Sequence, residues 1–199
     1  TLWCKNNYPL AFEQFEIASS MHLQKPDVSK SLNAKDRGTI ITVAGDGFSI
    51  AVSKRDGSIY TIDYGNGNIL RSPLKPNYWR AFTDNDLGYA NFRPKFERLL
   101  AHPVKRWKTA TEKRRVHSVE LVSSTGLATV KIKQRVPFCR GELTTVFEID
   151  SIGRIFVHHE ICPKHDMLRI GFTMAITSEF NSFTWFGRGP HESYCDRKT

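Results

Sequence analysis

Two short stretches hold the side chains whose types and spacing could do chemistry. Arg80, Asp84, Asn85, Asp86 and Gly88 lie in PNYWRAFTDNDLG, between a bulky aromatic run and a glycine. Asp and Asn bond their own backbone and build turns, and Arg80 could brace such a turn through one carboxylate. The same groups, beside an aromatic face, are the donors and acceptors that read sugar hydroxyls. His191, Glu192, Tyr194, Asp196 and Arg197 follow WFGRGP, where two glycines and a proline make the backbone irregular. There Glu192 or Asp196 could simply pair with Arg197. Alternatively the set could read hydroxyls, with Glu192 as a base if burial raised its pKa. From residue types alone both readings stay open.

The elements that must position these stretches are mostly strands. TIITVAG, GFSIAVS, SIYTIDY, VHSVELV, LATVKIKQRV, ELTTVFEID, RIFVHHEI and LRIGFTMAIT are each short and rich in β-branched or aromatic residues. Turn material such as KRDG, GNGN, SSTG and DSIG separates several of them. In GFSIAVS, Phe48, Ile50 and Val52 alternate. In SIYTIDY, Ile59, Thr61 and Asp63 fall on one face and Tyr60, Ile62 and Tyr64 on the other. Many short strands at regular spacing predict an all-β chain built as an antiparallel sandwich. One segment departs from this: Phe92, Phe96, Leu99 and Leu100 recur at helical spacing, with Pro94 in the first turn and Pro103 ending a short helix. Residues 1–36 also differ. Phe12–Ile17 alternates like a strand, and the polar stretch QKPDVSKSLNAKDRG reads as a linker, which puts a boundary near residues 30–38.

Composition narrows the function classes. With 199 residues, 40% hydrophobic and 12% aromatic, the chain can bury a core. No apolar run approaches the roughly 20 residues that span a bilayer, and no signal peptide is visible at the start. The absence of an initiating Met predicts a piece of a longer chain. Cys4, Cys139, Cys162 and Cys195 lack metal-ligand spacing and read as free thiols of a reducing, cytoplasmic compartment. The net charge of +9 raises nucleic acid as a partner. The basic residues are scattered, however. The denser runs, Lys105-Arg106-Trp107-Lys108 and Lys113-Arg114-Arg115, carry no recognition-helix or zinc-finger pattern. Neither nucleic acid nor membrane is expected as a partner. His158 and His159 lie in a strand pattern and point to opposite faces, so one metal ion could not easily take both; each reads as an edge or surface histidine.

The pattern R-A-x-T-D-N-D-x-G from Arg80 to Gly88, followed about a hundred residues later by W-x-G-x-G-P-x-E-x-Y-x-D-R from Trp185 to Arg197, resembles the C-terminal domain of the long β-galactosidases. In some bacteria that region is a separate small subunit. Ala11-Phe12-Glu13-Gln14-Phe15 also resembles the end of the immunoglobulin-like domain before it. The resemblance implies residues 1–36 as a remnant of that domain plus linker, and 37–199 as the first part of a galactose mutarotase-like supersandwich. It implies part of a retaining glycoside hydrolase acting on terminal β-D-galactosides such as lactose, whose two catalytic glutamates lie upstream in a (β/α)₈ barrel. Retaining chemistry needs two carboxyl groups about 5–5.5 Å apart, and Asp84 and Asp86 stand two residues apart with no partner motif nearby. No residue here is therefore expected to be catalytic, and none to hold a metal; the Mg²⁺ and Na⁺ of the family belong to the barrel. The implied role is accessory: the region packs on the barrel, meets the galactoside, supports a homo-oligomer and supplies a mobile loop pivoting at Gly88. Cys195 departs from the proline of many relatives. A free-standing galactose-binding module and a mutarotase-like epimerase with Glu192 as base are the alternative readings.

Overall fold

The computed structural model describes residues 25–81, 106–182 and 184, together with the backbone of residues 2–3, 9–11 and 103–105. The chain divides into two units, one of Pro26–Glu179 and one of Thr1–Lys25 with Phe180–Thr199. In the second unit, β1 (Leu2–Trp3) and β2 (Pro9–Ala11) pair antiparallel.

The larger unit is two antiparallel sheets, as the strand pattern predicts. One sheet has six strands: β3 (Asn33–Asp36), β4 (Ile40–Gly45), β5 (Phe48–Ser53), β6 (Ile59–Asp63), β7 (Leu70–Asn77) and β12 (Gly171–Ile176), in the order β12-β7-β6-β5-β4-β3. The other has four: β8 (Arg115–Ser124), β9 (Leu127–Arg135), β10 (Leu143–Asp150) and β11 (Ile155–Glu160), in chain order. Sequential hairpins build the four-stranded sheet and β3 to β7 of the six-stranded one, so register there follows from the turns between neighbouring strands, while β12 returns from far along the chain to pair with β7. The sandwich core joins Ile41, Val43, Phe48, Ile50, Val52, Ile59, Ile62 and Leu70 of the first sheet to Ala128, Val130, Ile132, Phe147 and Ile149 of the second.

Three features depart from the sequence reading. Ile59 and Ile62 are both buried, although strict alternation separates them. Ala51 pairs with Thr61 but Val52 pairs with Ile59, so β6 carries an extra residue at this point. That bulge resets the phase and turns both isoleucines inward. Second, part of the supposed linker is strand: β3 pairs with β4 from Asn33↔Ala44 to Asp36↔Ile41. Its polar side chains suit an edge, where one face and one rim meet water. Third, β7 was not foreseen, because Pro73 and Pro76 argue against a strand. It is accommodated by irregular pairing with β12, where the register shifts between Thr173 and Ala175, and by a single paired position, Ile59↔Leu74, with β6. The helix expected over Phe92–Leu100 lies outside the described residues. The helical segment that is described is a 3-10 helix, Pro103–Thr109, with proline at its first position, where a missing N–H is harmless.

The start of the larger unit is strapped across the hairpin ends of the four-stranded sheet. Asp27 N–H donates to Asp150 Oδ2 at 3.0 Å, and the Ser151 N–H and hydroxyl donate back to the Asp27 carbonyl and carboxylate. Gly126, in the β8–β9 turn at φ +80°, lies so close to Val28 that an added Cβ would sit 2.6 Å from its backbone.

Candidate functional site

Of the residues singled out from sequence, Arg80 is described. Asp84, Asn85, Asp86 and Gly88, and the second set His191, Glu192, Tyr194, Asp196 and Arg197, lie outside the described residues. The structure therefore defines the foot of the first stretch, where the chain leaves β7 and runs to Ala81.

That foot is fixed from several sides. The Asn77 side chain accepts the Trp79 N–H at 3.1 Å, an Asx turn that ends the strand. The Thr111 hydroxyl donates to the Pro76 carbonyl at 3.0 Å in a buried contact. Tyr78 is fully buried and packs against the edge of Trp107 at 6.2 Å between ring centroids. Trp107 is fully buried too, and its indole N–H donates to the Asp166 carbonyl at 2.8 Å. Phe138 meets the Trp107 ring edge-on at 5.8 Å, with the Arg106 guanidinium 5.2 Å above it. Trp79 packs against this cluster, and Arg80 Nη1 donates to the Ala81 carbonyl at 3.0 Å. Arg80 thus emerges from a second core made of Tyr78, Trp107, Ala110, Val136, Cys139 and Leu143.

A polar chain crosses from that core into the four-stranded sheet. The Tyr78 hydroxyl lies 3.1 Å from His159 Nε2, and His159 Nδ1 lies 2.8 Å from the Thr145 hydroxyl. Gln134 Nε2 donates to Thr145 at 3.0 Å. The spacing follows from sheet register: Thr145 and His159 are directly opposed on β10 and β11, and Gln134 is on β9 beside them. Burial pushes the His159 pKa down from 6.5 to about 4. The imidazole is therefore neutral near pH 7, one ring nitrogen donating and the other accepting. Burial also pushes the Tyr78 phenol well above its ordinary range. Neither group is poised for proton transfer at neutral pH; the chain ties Tyr78, and with it the loop foot, to the sheet.

His158 points to the other face, as the strand pattern requires, and its Nε2 lies 3.3 Å from a Glu148 carboxylate oxygen. His159 lies on the edge strand β11, and its half-buried ring is turned into the polar chain and not out to solvent. Sequence also passed over Trp107, hidden in a run that reads as charged surface, and Arg114, whose side chain is nearly buried and donates to the Asp56 and Thr111 carbonyls. The one signal available was Trp107 itself, an aromatic in the midst of basic residues. Among the described residues no three His, Cys, Asp or Glu side chains converge to hold a metal, and no helix is long and apolar enough to cross a membrane.

The fold and this strand exit define a class: an antiparallel sandwich module with an aromatic corner where the chain leaves β7. The family model described as beta galactosidase small chain matches residues 44–199, and the chain belongs to that family. It is similar to a β-galactosidase of Priestia megaterium, 27% identical over all of this chain, and to one of Clostridium acetobutylicum, 26% identical over 99% of it. A β-galactosidase of Vibrio cholerae is 30% identical over 65% of the chain. The chain spans 19%, 21% and 13% of those relatives' lengths respectively.

Proposed function

We propose that this chain is the accessory region of a β-galactosidase that hydrolyses terminal β-D-galactosides, lactose among them, with retention. In this reading the catalytic glutamates and the Mg²⁺ and Na⁺ sites belong to a barrel outside this chain. The sandwich packs on that barrel within a homo-oligomer. Arg80 to Gly88 reaches the sugar, with Gly88 as the pivot of a closing loop. Residues 1–36 are the end of the preceding immunoglobulin-like domain with its connection. The observation that carries the reading is the family match over residues 44–199. The rigid Tyr78–Trp107 corner is consistent with it, since a loop that positions hydroxyl-reading groups needs a fixed root.

The test uses o-nitrophenyl β-D-galactoside. The purified chain alone should release no o-nitrophenol. Mixed with the catalytic portion of a related β-galactosidase lacking this region, it should restore turnover, with β-galactose as the first anomer seen by NMR. Turnover by the chain alone would contradict its assigned inactivity. No gain on mixing would contradict the accessory role.

A further inference from the structure

A cleft of about 740 Å³ opens beside the second core, with which it shares Val136, Phe138 and Cys139. Its floor is Val136, Pro137, Phe138 and Cys139, and its rim carries Lys113, Arg114, Arg115, Arg135 and Lys164 against one carboxylate, Glu112. Arg114 is engaged by Asp56, and Glu112 by Lys75 at 3.3 Å. Among the described residues, no carboxylate lies within ion-pair distance of Lys113, Arg115, Arg135 or Lys164.

Arg115 and Arg135 are directly opposed across β8 and β9. Like charges in that position repel and destabilise the pair. The Glu142 carboxylate lies in the field of Arg135 and Lys133, but it is hydrogen-bonded to His117. Phe138, in the floor, has φ 71°, a left-handed conformation that is rare for a bulky side chain and is held here by Trp107 and by the Lys164 N–H on its carbonyl. The cleft thus joins an opposed arginine pair, with no ion-pair partner among the described residues, to an apolar floor that includes a left-handed Phe138.

We propose that this cleft docks a carboxylate-rich peptide segment, with Arg115 and Arg135 forking onto its carboxylates and Lys113 and Lys164 flanking them. Guanidinium groups take carboxylates two bonds at a time, and an anion between the two arginines removes their repulsion. The cleft is much larger than a single phosphate, and its cations come from three separate segments. An extended ligand with spaced charges fits that layout. Single-stranded nucleic acid needs open aromatic faces for base stacking. Phe138, the aromatic of this lining, already has Arg106 over its ring and Trp107 at its side.

The probe is fluorescein-labelled hexaglutamate, read by anisotropy on the full chain at low salt. Arg115→Glu should weaken binding at least tenfold while leaving the melting temperature at or above the parent's, because it converts a repulsive cross-strand pair into an attractive one. Lys113→Glu with Lys164→Glu, outside the strand pair, should weaken binding by a similar factor. Lys35→Glu, the same charge change on β3, should leave it within twofold. Binding unchanged in the first two variants, or weakened equally by Lys35→Glu, overturns the proposal. So does tighter binding of a labelled oligothymidylate that the same variants abolish, or displacement of hexaglutamate by equimolar inorganic phosphate.

Discussion

The two cores of the larger unit are built on different rules. The sandwich core is aliphatic and continuous, drawn from strand positions on both sheets, and Ile41, Val43, Ile50, Val52, Ile59, Ala128, Val130, Ile132, Phe147 and Ile149 are all fully buried. The second core is aromatic and mixed, drawn from the exit of β7, a 3-10 helix and the turn after it, the β9–β10 loop and the start of β10. Its members are joined by directed contacts: an indole N–H to a carbonyl, a phenol to an imidazole, a threonine hydroxyl to a proline carbonyl. The first holds the sheets together through area removed from water, which tolerates some repacking. The second fixes where one segment leaves the sheet, which area alone cannot do. A loop root needs the directed kind.

The largest effects should test whether the two cores fail separately. Phe147→Ala should lower global stability by about 3–5 kcal/mol, and amide exchange should rise across both sheets. Trp107→Ala removes a side chain of the same class and should cost a similar amount, about 3–5 kcal/mol at its own site. Its exchange should rise mainly at residues 76–81, 106–111 and 138–143, while β4 and β5 stay protected. Uniform loss of protection in both variants would merge the two cores into one cooperative unit and end the comparison.

What could be read in advance follows the same division. The sandwich strands announce themselves because a half-buried strand must alternate or run apolar, and GFSIAVS and LATVKIKQRV do so. The bulge at Tyr60 could not be seen, since one extra residue in a pairing leaves no mark on the pattern. Nor could β7, where Pro73 and Pro76 each remove a ladder donor and only the irregular partner strands make room. The second core was hidden because its partners are far apart in the chain: Tyr78 meets His159 across 81 positions, and Trp107 meets Asp166 across 59. Of the candidate site, Arg80 was named from its neighbours in sequence, but the residues that root it came from non-local contacts that no spacing reveals. Gly126 shows the same limit on a smaller scale. A glycine in SSTG reads as a turn residue, yet its close approach to Val28 is the stronger constraint. Gly126→Ala should cost about 2–3 kcal/mol in denaturant unfolding, of which the left-handed backbone accounts for about 1–2. A cost under about 1 kcal/mol would mean that the strap yields easily.

The smallest effect, and the sharpest separation of the two regions, lies in acid. His159 belongs to the polar chain of the second core, and burial lowers its pKa from 6.5 to about 4. Its folded ring refuses a proton that the unfolded chain accepts, so it contributes stability that is present above pH 6.5 and is lost as pH falls to about 4. Asp27 belongs to the strap at the sandwich end. The Ser29 hydroxyl, then the Ser29 N–H and the Ser151 hydroxyl, hold its carboxyl down from 3.8 to about 2. Its contribution is present above pH 3.8 and is lost as pH falls through about 2. Asp150 beside it is pushed up by burial, but hydrogen bonds from the Asp27 N–H and from Arg154 more than offset this and leave it below its ordinary value. Melting temperature plotted against pH should therefore fall in two stages, the upper from His159 and the lower from Asp27 together with the other carboxylates held below their ordinary values, Asp36, Asp46, Asp56, Glu142 and Asp150. His159→Asn should flatten the profile between pH 6.5 and 4 and leave the lower stage intact, and Asp27→Asn should make the lower stage shallower and leave the upper one intact. A single stage that both substitutions alter alike would show that the strap and the aromatic corner share one titration, and the two regions would then be electrostatically one.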